Sequence, residues 1–247
     1  MKGTTPPGAH TEQEAANWVR GMFGRVAHRY DLANHLLSLN IDRLWRARSV
    51  RRVRHIVQRP GARILDICCG TGDLLLALAE ATPNGQFVLG SDFCHPMLTA
   101  AREKAARRGE RALLFEADAL CLPVRDASLD LITVAFGFRN LANYEAGLRE
   151  MHRALRPGGT AAILEFSQPP NPLFDAFYNW YSRRVLPLVG GALSGSRDAY
   201  RYLPDSVRKF PSARELAGDM ERAGFENVSY EYWTNGIVAL HLGSRGS

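Results

Sequence analysis

The sequence predicts an α/β fold: a mostly parallel sheet of seven strands, helices on both faces, and an antiparallel hairpin at the C-terminal end. Three observations predict it. Short apolar runs alternate with helical-period segments from residue 63 to residue 167. A glycine turn, "GTG", joins the first run to its helix. The last two strand-like runs are separated only by "TNG", too short for a crossover, so they must run antiparallel.

The elements follow in order. "RILDIC" (63–68) reads as a buried strand and "GDLLLALAEA" (72–81) as the helix behind it. "QFVLGSD" (86–92) is the second strand, and "HPMLTAAREKAARRG" (95–109) is a helix that stops at a glycine. "ALLFEAD" (112–118) and "LDLITVAF" (129–136) are strands three and four. "NYEAGLREMHRALRPGG" (143–159) predicts a helix stopped by Pro-Gly-Gly, with the fifth strand in "TAAILEFS" (160–167). An aromatic, proline-rich stretch at about 169–210 breaks the rhythm as a lid-like insert. It is followed by a helix at 212–225 and strands at 227–233 and 236–243. Residues 1–12 read as a disordered lead-in, 13–60 as an N-terminal helical cap, and 61–247 as one large domain.

Composition narrows the class. A 46% hydrophobic, 23% charged chain of 247 residues is ordinary for a globular protein, with no run long enough to span a membrane and no signal-peptide core. Cys68, Cys69, Cys94 and Cys121 show neither CxxC pairing nor metal spacing, so we expect reduced thiols in the cytoplasm and no metal. The net charge of +6 is concentrated in residues 42–59, with seven arginines against one aspartate: a solvated face, or a surface for nucleic acid or anionic lipid.

The stretch "ILDICCGTGD" (64–73) carries the chemistry. A Walker loop needs Gly-Lys-Ser/Thr, but Gly72 is followed by Asp73; a dinucleotide turn wants a third glycine where Leu75 stands. Asp73 at the helix start repels phosphate and suits an ammonium group. S-adenosylmethionine offers that ammonium and no phosphate. Its carboxylate can meet helix N-terminal amides where Gly70 and Gly72 let the backbone approach. Asp92 ends the second strand, placed for ribose hydroxyls. Asp118, followed by Ala119, ends the third, placed for the adenine amine. With Asp66, Thr71 and Phe93 these residues form the expected cofactor set, and the fold becomes that of a class I, Rossmann-like methyltransferase. After the fourth strand stands "FGFRN" (136–140) rather than the Asn/Asp-Pro-Pro-Tyr of base amine methylation, and Cys121 lies in a plain connector. Both absences argue against a nucleic-acid substrate.

The chain resembles the quinone-biosynthesis C-methyltransferases, which methylate demethylmenaquinol and the related 2-methoxy-6-polyprenyl-1,4-benzoquinol. The resemblance runs through "FGRVAHRYDLANHLLS" (23–38), "LDICCGTGD" (65–73), "FGFRN", "LREMHRALRPGG" (148–159), "LEFSQP" (164–169), "AYRYLPDSVRKFP" (199–211) and "GIVALHLG" (236–243). The chain departs from the pattern at Asn40-Ile41-Asp42, where members often read Gly-x-His, and at Ala135, where some have serine. The resemblance implies that Arg139, through a water, assists deprotonation of the quinol, with Asn140 and Tyr30 positioning it. Arg139 itself stays protonated, so its part is to stabilise the phenolate and orient the water. His241, on a terminal strand, is expected to be structural. The implied partners are a polyprenyl quinol and, through the aromatic insert (Phe174, Phe177, Tyr178, Trp180, Arg183 and Arg184) and the basic helix, the anionic inner face of a membrane. Four other readings stay open: the benzoquinol acceptor of ubiquinone synthesis, a phospholipid N-methyltransferase, a non-catalytic subunit of a quinone-synthesis complex, and an RNA binder. Homodimerisation is also open.

Overall fold

A computed structural model describes residues 3–83, 86–110, 112–171 and 197–246. The aromatic residues and the arginine pair of the insert, 174–184, lie outside the described residues.

Four helices precede the sheet: α1 (Glu12–Val26), α2 (Tyr30–Leu37), α3 (Ile41–Arg52) and α4 (Arg54–Val57). Thr11 starts α1 with a capping box closed by Glu14. The alternating region gives β1 (Ile64–Ile67), α5 (Asp73–Ala81), β2 (Val88–Asp92), α6 (His95–Arg107), β3 (Leu113–Glu116), β4 (Leu129–Ala135), α7 (Tyr144–Ala154) and β5 (Leu155–Phe166). After the insert come α8 (Arg197–Lys209), α9 (Ala213–Arg222), β6 (Phe225–Trp233) and β7 (Val238–Arg245).

The seven strands lie in the order β3-β2-β1-β4-β5-β7-β6; β1 to β5 are parallel, and β7 pairs antiparallel with both β5 and β6. The order reverses between β1 and β4, which opens a crevice at their carboxyl ends. Period-two alternation supplies a core on each face. Leu65, Ile67, Ile132 and Val134 pack toward α7 and α9, while Ile64 and Leu131 pack toward α3 and α5. Each such fully buried side chain contributes about 1.5–3 kcal/mol.

Two local expectations are corrected. The helix expected to reach Pro-Gly-Gly ends at Ala154, because Leu155 already pairs with Leu129 at the edge of a bulge. The N-terminal stretch is not a disordered lead-in from Gly3 onward: Thr4 is buried, its amide donates to the Leu141 carbonyl (2.8 Å), and its hydroxyl meets that of Tyr202 (2.6 Å).

Candidate active site

A cavity opens at the carboxyl ends of β1, β2 and β4. Asp66, Gly70, Thr71 and Asp92 line it, as do Phe93, Asp118 and Ala119; Tyr30 and Asn140 stand in its wall. The predicted cofactor set thus converges on one space, with Gly72 just behind it. Gly70 and Gly72 have φ of +54° and +86°, so both occupy the left-handed region that glycine tolerates. A Cβ on Gly70 would have nothing within 4 Å, whereas one on Gly72 would press on Ala101 at 3.3 Å. The first glycine leaves room for a ligand; the second lets α5 pack on α6.

The acids play different parts. Asp92 accepts the amides of Gly70 and Cys94 (2.9 Å each), so it holds the glycine turn to β2. Asp118 accepts the Leu120 amide at 2.9 Å. Asp66 accepts the Thr133 hydroxyl on one oxygen (2.6 Å), while its second oxygen is buried without a partner. Burial pushes Asp66 up to about 7 despite that bond, and Asp92 up to about 6 despite its amide donors. Both shifts lie above the usual carboxylate value. In the ligand-free protein their contribution to stability is therefore full near pH 4 and is lost as pH rises toward 6–7. A buried carboxylate oxygen without a protein partner, in a cavity wall, can accept a hydrogen bond from a bound ligand.

Asp73 is not free to receive an ammonium group, contrary to the charge argument from sequence. Lys104 Nζ takes Asp73 at 2.8 Å and Asp31 at 2.6 Å, and Arg46 lies 3.9 Å from Asp73. Burial opposes the charge of Asp73, but Arg46 and Lys104 outweigh it and hold the group below its ordinary value. Asp31, His35 and Asp73 are close enough to chelate a metal, yet Lys104 already supplies a cation between the two carboxylates. This network ties the cap to the turn, because Asp31 also accepts the Thr71 hydroxyl at 2.5 Å.

The "FGFRN" segment lies at the end of β4. Arg139 is buried behind the cavity wall rather than in it: its Nη1 donates to Glu165 (2.8 Å) and to the Phe136 carbonyl (2.5 Å). Its own amide donates to the second Glu165 oxygen at 3.1 Å, and its guanidinium lies 5.2 Å over the Phe166 ring. Burial works against the charge, but Glu165 keeps Arg139 above its ordinary value, so it is no base. Its Nε remains without a partner among the described residues. Asn140 faces the cavity, accepting from the Tyr202 hydroxyl at 3.0 Å. Tyr30 packs edge-on to Phe23; burial raises its hydroxyl, while Arg139 and Arg46 act in the opposite sense. Cys68 and Phe136, at φ +50° and +59°, are non-glycine residues in the left-handed region, each costing about 1–3 kcal/mol. Both line the cavity, where such strain concentrates. Gly137 lies between Phe136 and Phe138 because a Cβ there would come within 2.5 Å of Cys68 Cβ. Gly137→Ala should destabilise the fold by about 1–3 kcal/mol, read by urea unfolding; a wild-type midpoint would show that the contact relaxes freely.

Two residues escaped the sequence reading. Arg46 lines the cavity 5.2 Å over the Phe136 ring, bonded to Asp42 at 2.5 Å. It belongs to the arginine-rich segment, where Asp42 four residues earlier was the available signal. Glu165 lies inside "LEFSQP", a buried carboxylate at the end of the apolar run of β5. His241 is structural as expected: it is buried on β7 with Nε2 on the Ala213 carbonyl (2.8 Å), and burial drives it down to about 4. Cys68 and Cys69 are half-buried in the cavity wall, and desolvation with nearby carboxylates pushes both thiols up, which fits inert filler.

Residues 10–245 match the ubiE/COQ5 methyltransferase family. The chain belongs to that family. A demethylmenaquinone methyltransferase of Thermus thermophilus is 48% identical over 91% of this chain and 100% of its own length. One from Deinococcus radiodurans is 42% identical over 99% and 100%. A ubiquinone/menaquinone biosynthesis C-methyltransferase UbiE of Syntrophotalea carbinolica is 45% identical over 92% and 94%. Among solved structures, a SAM-dependent methyltransferase of Thermotoga maritima, described as a possible histamine N-methyltransferase, superposes with a TM-score of 0.66 at 18% identity, covering 92% of this chain and 99% of that one. The [4+2]-cyclase SpnF reaches 0.68 at 18% identity, covering 99% of each chain. These two likenesses show the fold alone, and a cyclase among them shows that this scaffold does not dictate one chemistry.

Proposed function

We propose that the protein methylates a ring carbon of a reduced polyprenyl quinone, converting demethylmenaquinol to menaquinol with S-adenosylmethionine as methyl donor. The observation that carries the reading is the cavity itself: a partnerless Asp66 oxygen, an open glycine turn and Asp92 on one side, Tyr30 and Asn140 on the other, within a family of quinone methyltransferases.

The residues fit the donor. Asp66 suits its ammonium, the amides after Gly70 its carboxylate, Asp92 the ribose hydroxyls, and Asp118 with the Ala119 amide the adenine edge. When bound, S-adenosylmethionine supplies an activated methyl group. Phe23, Phe93, Phe136 and Met97 exclude water from the space around it. That exclusion favours a reaction in which a phenolate and a sulfonium neutralise one another. Tyr30 and Asn140 hold the quinol oxygens, so the ring carbon is aligned rather than activated by a covalent step. Arg46, in the wall, and Arg139, behind it, keep positive charge beside the oxygen that loses its proton. Arg139 acts from the second row, consistent with a proton leaving through water rather than to the guanidinium.

The test is transfer of labelled methyl to a short-tailed demethylmenaquinol with a matched benzoquinol alongside. Transfer to the naphthoquinol supports the assignment. Transfer to the benzoquinol alone moves the protein to ubiquinone synthesis, and transfer to neither overturns the acceptor class.

No helix among the described residues is long and apolar enough to cross a membrane. A polyprenyl acceptor resides in lipid, so the reading includes peripheral contact of the enzyme with a membrane surface.

A further inference from the structure

The outer side of the N-terminal cap carries an apolar patch that packing inside the described fold does not explain. Leu32 and Leu36 lie one turn apart on α2, Leu39 in the turn that follows, and Leu44 in the first turn of α3. They are 63%, 48%, 74% and 62% exposed. Scattered exposed leucines need no account. Here, four of the eight large apolar side chains exposed among the described residues fall within residues 32–44. Such clustering marks an interaction surface.

The charge around the patch has one sign. Arg43, Arg51 and Arg54 are exposed and have no carboxylate partner among the described residues. Arg48 and Arg52 share the single Glu231. The acids of the same helices face inward: Asp42 is buried against Arg46, His35 and Ser38, and Asp31 is held by Lys104 and Thr71. The outer side is therefore leucine and arginine, and the inner side carries Tyr30 and Arg46 into the cavity wall.

We infer that this face of α2 and α3 rests on an anionic lipid bilayer, leucines among the acyl chains and arginines on the head groups. The inference rests on the reading that the acceptor is a polyprenyl quinol, and it names the surface from which the acceptor is drawn. A quinol ring rising from lipid against α2 and α3 meets the Tyr30 and Arg46 that these same helices carry into the cavity wall, while its tail stays in the bilayer. Neither neutral lipid nor a purely apolar protein partner would use the arginines, and nucleic acid would not use the leucines.

The experiment is co-sedimentation of the full chain with phosphatidylglycerol–phosphatidylcholine vesicles, against phosphatidylcholine alone. Two variants run beside the wild type. One carries Leu36→Gln, Leu39→Asn and Leu44→Gln, and the other Arg43→Gln, Arg51→Gln and Arg54→Gln. Wild type should bind anionic vesicles and bind neutral ones weakly. The arginine variant should lose about fivefold in affinity per residue replaced, and the leucine variant should lose about tenfold or more even at high salt, where the charge contribution is screened. Both should turn over a short-tailed, water-soluble demethylmenaquinol at the wild-type rate, which also shows that they fold. No wild-type binding at low salt, or wild-type binding by both variants, overturns the surface. A wild-type protein that binds vesicles but fails on the soluble quinol leaves the surface standing and overturns the acceptor instead. Concentration-dependent self-association abolished by the leucine variant, without vesicle binding, gives the face to a second copy of the chain and overturns the inference.

Discussion

Replacing Arg139 by alanine should destabilise the fold by about 3–5 kcal/mol, the cost of leaving a buried charge without its partner. Glu165 is 1% exposed, and Arg139 gives it both a guanidinium and a main-chain bond. Only the main-chain donors would remain to the carboxylate in the variant. Urea unfolding measures the loss directly. Arg139→Met combined with Glu165→Gln removes both charges and should recover most of it. In conditions where Arg139→Ala stays folded, turnover should fall nearly to nothing while cofactor affinity is largely kept, because the residue stands behind the wall that the proposed quinol would face. Equal loss of both would make Arg139 structural. Glu165→Gln keeps the cation but loosens its seat, and should lower kcat with little change in the KM for S-adenosylmethionine.

The second large effect concerns Asp66. Its carboxyl, pushed up to about 7 by burial, must be ionised to receive an ammonium group. Binding a cation lowers that value, so a proton is released on binding below pH 7. Affinity for S-adenosylmethionine should then tighten by as much as about tenfold per pH unit from about pH 5, levelling near pH 7. The ligand's own amine begins to titrate only near pH 7.7–8, the usual α-amino range. Asp66→Asn should flatten this dependence and weaken binding at pH 7 by about 2 kcal/mol, roughly thirtyfold. Calorimetry in two buffers of different ionisation enthalpy reads both the affinity and the proton. A variant with the wild-type pH profile would place the ammonium elsewhere.

The carboxyl edge of the sheet was legible because period-two apolar runs stop at acids. Asp66 lies within β1 and Asp92 closes β2, so finding the strands finds these acids, with Asp118 just beyond β3. What escaped depends on contacts between distant segments. Asp73 looked free for a ligand because Lys104, thirty-one residues away, cannot be placed beside it from spacing. Arg46 was hidden among six other arginines, and only the fold shows that it alone of them lines the cavity. Thr4 sits in a stretch of turn-forming residues, and its order comes from Leu141 and Tyr202 rather than from local propensity. The early end of α7 has the same origin: strand pairing with β4 overrides a helical pattern.

The proposed reaction needs an electron-rich ring to meet a methyl donor in one water-poor space, and one comparison tests that need most directly. Methyl transfer from labelled S-adenosylmethionine to a short-tailed demethylmenaquinone should be measured before and after chemical reduction of the acceptor, with the same enzyme and donor. Transfer to the reduced form and none to the oxidised form is the predicted result, since only the quinol yields the phenolate that we propose Tyr30, Asn140 and the two arginines hold. Equal transfer to the oxidised quinone would contradict it, because the cavity would then be methylating a ring with no phenolic oxygen to stabilise.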